Sequence, residues 1–259
     1  MGVCYFMLLI IIQGCSSFRI PGFKKSPQMT NVPFEKMTTA DYIDHFAALK
    51  AAFLQTPGIK VVAKNSGKKY LEKLISEIIS KNEIFFKNIK NVNIHLLDLA
   101  APIHFSLPQS DIFISTGLIS KYIKHESMLV SVLSYELVRV EKYLYPKRVI
   151  VPVGSIELER LLSLGRLALD EKMEIHKWAH YITVRSGFDG EYYLAWLQVQ
   201  NRNTADFILQ VGDVNLINRE EALFKSFLIK NSPGDEAVNR TISSKSFYSF
   251  LNMIRDKKI

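Results

Sequence analysis

Glu136 and Arg139 stand three residues apart in a strongly apolar stretch of the chain, among Leu133, Leu137, Val138 and Val140. Charged groups are seldom tolerated in such surroundings unless they are paired. An i,i+3 spacing puts both on one helix face, so the pattern predicts an internal ion pair next to Tyr135. His176 and His180, four apart, have a spacing that can hold a metal ion. Lys177, Trp178 and Ala179 separate them, with no glutamate in the general-base position, and two imidazoles leave a metal site incomplete. They read as structural histidines, as do His95, His104 and His125, which have no partner motif. The chain carries no Gly-x-Ser-x-Gly elbow and no Gly-rich phosphate loop.

The elements that must position these groups are mostly helical. The first helix is predicted to start at a capping Thr39, to run through Phe46 and Phe53, and to stop before Pro57-Gly58. Others are predicted over Lys68–Asn82, Glu126–Leu144, Ser155–Leu169, Glu171–Arg185, Glu191–Gln200, Glu220–Lys230 and Ser244–Arg255. Tyr192, Tyr193 and Trp196, like Phe247, Tyr248 and Phe250, recur at helical spacing and read as core. Apolar residues cover most of the circumference of Glu126–Leu144, which places that helix at the centre. Val92–Leu99, His104–Leu107 and Asp111–Ser115 are short, β-rich and broken by prolines, and they read as one small sheet. The class is α+β, mostly helical.

Composition narrows the function. With 48% hydrophobic and 22% charged residues, only 12 Gly and 9 Pro, the 259 residues exclude a disordered or collagen-like chain. The net charge of +8 is spread along the sequence with no long basic run, so no nucleic-acid partner is expected. Both cysteines fall in the first fifteen residues, which excludes a disulfide scaffold. Residues 1–14 hold no charge, and the apolar run Tyr5–Ile12 is too short to span a bilayer but suits a signal peptide. Ile12-Gln13-Gly14-Cys15 resembles a bacterial lipobox. Cleavage before Cys15 and its acylation would anchor the chain to a membrane. Ser16, where an aspartate would retain the protein at the inner membrane, points to the outer membrane facing the periplasm. Residues 15–38 then form a lipid-anchored linker and 39–259 the domain, helical from about 200 onward. The sequon Asn239-Arg240-Thr241 has no consequence in that compartment.

The order of elements resembles the HtpX-like and CAAX-protease zinc metallopeptidases, among them periplasmic lipoprotein members. That family shows an Asn-Ala-Phe-x-x-Pro-Gly-Gly segment, then a strand ending Thr-Gly-Leu, then a helix bearing HExxH. Here His104-Phe105-Ser106-Leu107-Pro108-Gln109-Ser110 is followed by Ile112-Phe113-Ile114-Ser115-Thr116-Gly117-Leu118-Ile119 and by the helix of Glu136. Gly187-Phe188-Asp189 matches a later Gly-(Tyr/Phe)-Asp. The similarity covers roughly Ala40 to Gln200. It implies a zincin-like fold in which Glu136 takes the general-base position. Tyr135, Arg139 and Lys172 take those of the three zinc ligands, and His176 that of the family's aspartate.

Those replacements decide the expected activity. Arg139 has no lone pair to give, Lys172 is normally cationic, and Tyr135 would have to ionise from a pKa of about 10. Zinc is therefore expected to be absent, and hydrolysis with it. Arg139 and Lys172 are expected to converge on Glu136 in the metal's place. What remains is an envelope protein that binds a peptide or protein client, assembly- or chaperone-like, with the strand His104, Phe105, Ser106 and Leu107 as the receiving edge. Two alternatives stay open: an active metalloendopeptidase with a relocated ligand set such as His176, His180 and a carboxylate, and a structural subunit of an envelope complex.

Overall fold

Thr38, not Thr39, caps the first helix. Its hydroxyl accepts the N–H of Asp41, whose carboxylate accepts the N–H of Thr38 in return, a capping box that the run Thr38-Thr39-Ala40-Asp41 permits only in this register. The computed structural model describes residues 37–62, 66–89, 91–150, 154–231 and 242–256. The leader, Cys15, nearly all of the linker and the sequon lie outside them.

Ten helices and three strands are formed among the described residues. In chain order they are α1 Thr39–Leu54, α2 Ser66–Lys81, β1 Asn93–Leu97, β2 His104–Leu107, β3 Asp111–Ser115, α3 Thr116–Lys121, α4 Glu126–Glu141, α5 Leu158–Leu164, α6 Leu169–Arg185, α7 Glu191–Arg202, α8 Thr204–Val211, α9 Val214–Asn231 and α10 Lys245–Arg255. The class is α+β, mostly helical, with one three-stranded mixed sheet. None of the described helices is long and apolar enough to cross a membrane.

The sheet runs β1-β3-β2, with β1 parallel and β2 antiparallel to β3. Alternation along β2 divides the molecule. Phe105 and Leu107 enter an apolar cluster with Phe46 and Phe53 of α1, while His104 turns to α4 and bonds Glu136. Helix α4 lies at the centre, against β2, α2, α6 and α7, and every residue of it except Tyr135 is buried. Its terminal carboxylates serve as internal ties. Glu126 binds Tyr70 and the N-cap Ser244 of α10, and Glu141 accepts the backbone N–H groups of Lys87, Asn88 and Ile89.

The helix expected over Ser155–Leu169 is shorter, because Gly165 ends α5 and a loop follows to α6. That loop helps to enclose the cavity described below. Gly117 is required by contact: a Cβ there would stand 2.1 Å from the carbonyl oxygen of Ala100, and its own N–H donates to Leu99 O. Gly117→Ala is expected to cost about 1–3 kcal/mol, read from the urea midpoint, because rigid backbone would have to move.

The β2–β3 turn holds Gln109 at φ 66° and Ser110 at φ 64°, a left-handed pair without glycine. Such residues cost about 1–2 kcal/mol each relative to ordinary backbone. Gln109→Gly with Ser110→Gly is expected to raise the unfolding midpoint modestly, since glycine's larger unfolded-state entropy offsets part of the relieved strain.

Candidate functional site

The central helix carries Tyr135, Glu136 and Arg139 to a cavity of about 60 Å³ between β2 and the helices that follow. His104, Phe105, Ser106 and Leu107 line it from the strand, Lys172 and His176 from α6, Gln210 from α8 and Glu220 from α9. Every residue singled out from the metallopeptidase resemblance in β2, α4 and α6 thus borders one space, Phe105 and Leu107 while packing mainly toward α1. His180 does not join it, and Cys15 lies outside the described residues.

The pairing inside that space differs from the expected one. Glu136, 1% exposed, does not bind Arg139 but His104, with Oε1 2.6 Å from Nδ1. Its Oε2 has no hydrogen-bond partner. Burial pushes this carboxyl up, yet the hydrogen bond from His104, the charge of Arg139 and the Ser106 hydroxyl outweigh it and hold the pKa below the usual carboxylate range. Gln210 fixes the histidine from the other side: its Oε1 accepts the N–H of His104, and its Nε2 lies 2.9 Å from His104 Nε2. That arrangement calls for the tautomer with the proton on Nδ1, facing Glu136.

Arg139 turns away because backbone acceptors lie closer. Its Nε donates to Leu144 O and its Nη2 to Gly165 O, while the guanidinium lies 5.0 Å over the Tyr145 ring. The arginine therefore ties the end of α4 to the loop after α5, and Glu136 feels it only as a nearby charge.

Lys172 is likewise paired elsewhere. Its Nζ donates to Glu220 Oε1 at 2.5 Å; Glu220 Oε2 lies 3.3 Å from His176 Nε2, and His176 Nδ1 lies 2.9 Å from the hydroxyl of Tyr193. Burial raises the Glu220 pKa, but His176 and Lys172 more than reverse it, and the group is held below its ordinary value. Burial also keeps His176 neutral, its pKa lowered despite Glu220.

The site is thus two polar clusters on one cavity, Glu136–His104–Gln210 and Lys172–Glu220–His176–Tyr193. Sequence reasoning missed Gln210 and Glu220, and it placed His104 on the receiving strand without a side-chain partner. A signal for both was present. Glu220 stands on the apolar stripe of Ile217 and Phe224, and Gln210 follows Phe207 by three positions.

The donor set can be weighed against the zinc that the metallopeptidase resemblance would bring. Loss of water around its hydroxyl pushes the Tyr135 phenol far above its usual range, so it does not ionise to a ligand. Arg139 and Lys172 are cations already bonded to acceptors. Among the described residues no group of three or more His, Cys, Asp or Glu is placed to hold a metal ion. These side chains do not fit zinc. No family model and no curated protein matches the chain.

Proposed function

We propose that this chain is a zincin-like member of the HtpX-type metallopeptidases that has exchanged its metal for internal polar clusters. In this reading it binds peptide or protein clients without cleaving them, held at the outer membrane by acylated Cys15. The observation that carries it is the placement of Glu136 on the central helix, facing a strand and a cavity while bonded to His104 instead of exposed to a metal-bound water. The β2–β3 turn supports it too. Gln109 and Ser110 hold left-handed backbone where the family's segment has its two glycines after the proline, as expected of a turn whose shape outlasted its residues.

Client binding would use β2, one of the two outer strands of the sheet, by strand addition. Gln210 occupies the outward N–H of His104, so an incoming strand displaces that side chain. The test has two arms. Metal analysis of the purified protein is expected to find no stoichiometric zinc, and stoichiometric zinc together with peptidase activity would overturn the proposal. Fluorescence anisotropy with labelled extended peptides is expected to show binding that tightens in Gln210→Ala. Unchanged affinity in that variant would remove β2 as the receiving edge.

A further inference from the structure

Away from the cavity, four aromatic side chains join into a strip across three parts of the fold. Phe85, after α2, lies 5.1 Å from Trp178 by ring centroid; Trp178 lies 6.3 Å from Tyr181 on α6, and Tyr181 5.7 Å from Phe227 on α9. Trp178 is 40% and Tyr181 47% exposed, and neighbouring Ile84 is 75% exposed. The core does not need these two α6 side chains, since that helix buries Met173, Ile175, Ala179 and Ile182 on its other side.

Cations are interleaved with the rings. Lys142 Nζ lies 5.3 Å over Phe85 and 5.4 Å over Trp178, and Lys177 Nζ lies 5.8 Å over Phe227. Arg185, one turn beyond Tyr181, is also exposed. Acidic neighbours exist in Glu83 and Glu174, and the basic groups outnumber them. Protein–protein interfaces enrich aromatic residues but deplete lysine. Tryptophan and tyrosine mixed with lysine suit the headgroup level of a bilayer, where an amphipathic ring meets both media and lysine meets phosphate.

We propose that this face is a membrane-contacting surface for anionic lipid, with Trp178 and Tyr181 set at headgroup level and Lys142 and Lys177 against lipid phosphates. The contact is independent of the Cys15 anchor and of any client.

Residues 37–259 form one compact unit with its own apolar core, so the chain from Ser16 onward, without the apolar leader, is the material for the test. Vesicles of phosphatidylglycerol and phosphatidylethanolamine are compared with vesicles of phosphatidylcholine alone by co-sedimentation. Of the two tryptophans, Trp196 is buried, so quenching by aqueous iodide reads Trp178. Binding to the anionic vesicles alone is expected, with Trp178 protected from iodide and quenched by brominated lipid. Lys142→Glu with Lys177→Glu is expected to weaken binding by at least roughly tenfold, judged from the contribution of each basic residue near an anionic surface. Trp178→Phe keeps the packing and is expected to weaken it less. No binding to anionic vesicles, binding with Trp178 still open to iodide, or binding indifferent to the two lysines would each overturn the proposal. So would concentration-dependent protection of Trp178 without lipid, which would assign the face to a second copy of the chain.

Discussion

His104→Leu is expected to lower the free energy of unfolding by about 3–5 kcal/mol at neutral pH, measured by urea denaturation, because it strands a buried charge. Glu136 is enclosed, and His104 supplies its hydrogen bond. Arg139 cannot take over without abandoning the carbonyls of Leu144 and Gly165. The carboxylate must then stay charged in an enclosed space without its hydrogen-bond partner or take up a proton, and either course costs stability. The paired change His104→Leu with Glu136→Leu removes both the charge and its partner, and it is expected to recover most of the loss. With Glu136→Leu as the other single change, the double-mutant cycle separates coupling from cavity formation. Glu136 alone also gives a direction with pH. Its folded pKa is lowered, so its contribution is complete above the ordinary carboxylate range and is lost as pH falls through the folded value. A single change costing under about 1 kcal/mol would show that water reaches the carboxylate, and the buried-pair account would fall.

The fold was legible where periodicity was strong, and the site where a charge broke that periodicity. Glu126–Leu144 announced a central helix by its continuous apolar circumference, and Glu136 and Arg139 stood out against it. Strands β2 and β3 match the expected spans because Pro102 and Pro108 bound them. Short α8 was missed: eight residues between two longer helices give too little periodicity to separate from a loop. The pairing was the larger failure, and its cause is geometric. Spacing along one helix makes Arg139 the natural partner of Glu136, but sequence does not reveal that β2 brings His104 within 2.6 Å or that two carbonyls lie nearer the guanidinium. In the same way Lys172 reached the right cavity but not the right carboxylate, since Glu220 lies 48 positions on in a separate helix. Local pattern finds which polar groups are buried; tertiary approach decides what they bind.

Buried histidines and carboxylates are expected to make the protein lose stability on acidification in two stages. His176 is buried neutral with its pKa lowered, so the unfolded chain binds a proton that the fold refuses. Stability is expected to be full above the ordinary histidine value of about 6.5 and to fall by up to about 1.4 kcal/mol per pH unit below it, until the folded value is reached. His45 and His180, also lowered by burial, add to this stage. Glu220 and Glu136 govern the next, below the free glutamate value of about 4.3, where the unfolded carboxyls take up protons before the folded ones do. His176→Gln, which can still bridge Tyr193 and Glu220, is expected to make the first stage shallower, leaving the part due to His45 and His180, and to shrink the Glu220 share of the second. Glu220→Gln acts differently: it leaves the Lys172 ammonium buried without its counter-charge and is expected to cost about 3–5 kcal/mol at neutral pH. Part of that loss is expected to return at high pH, where the stranded ammonium can give up its proton, or with Lys172→Met in the same chain. Urea midpoints across pH for the three variants separate these effects. A Glu220→Gln protein as stable as the parent, with an unchanged pH profile, would mean that Lys172 reaches solvent and that the cluster contributes nothing to the fold.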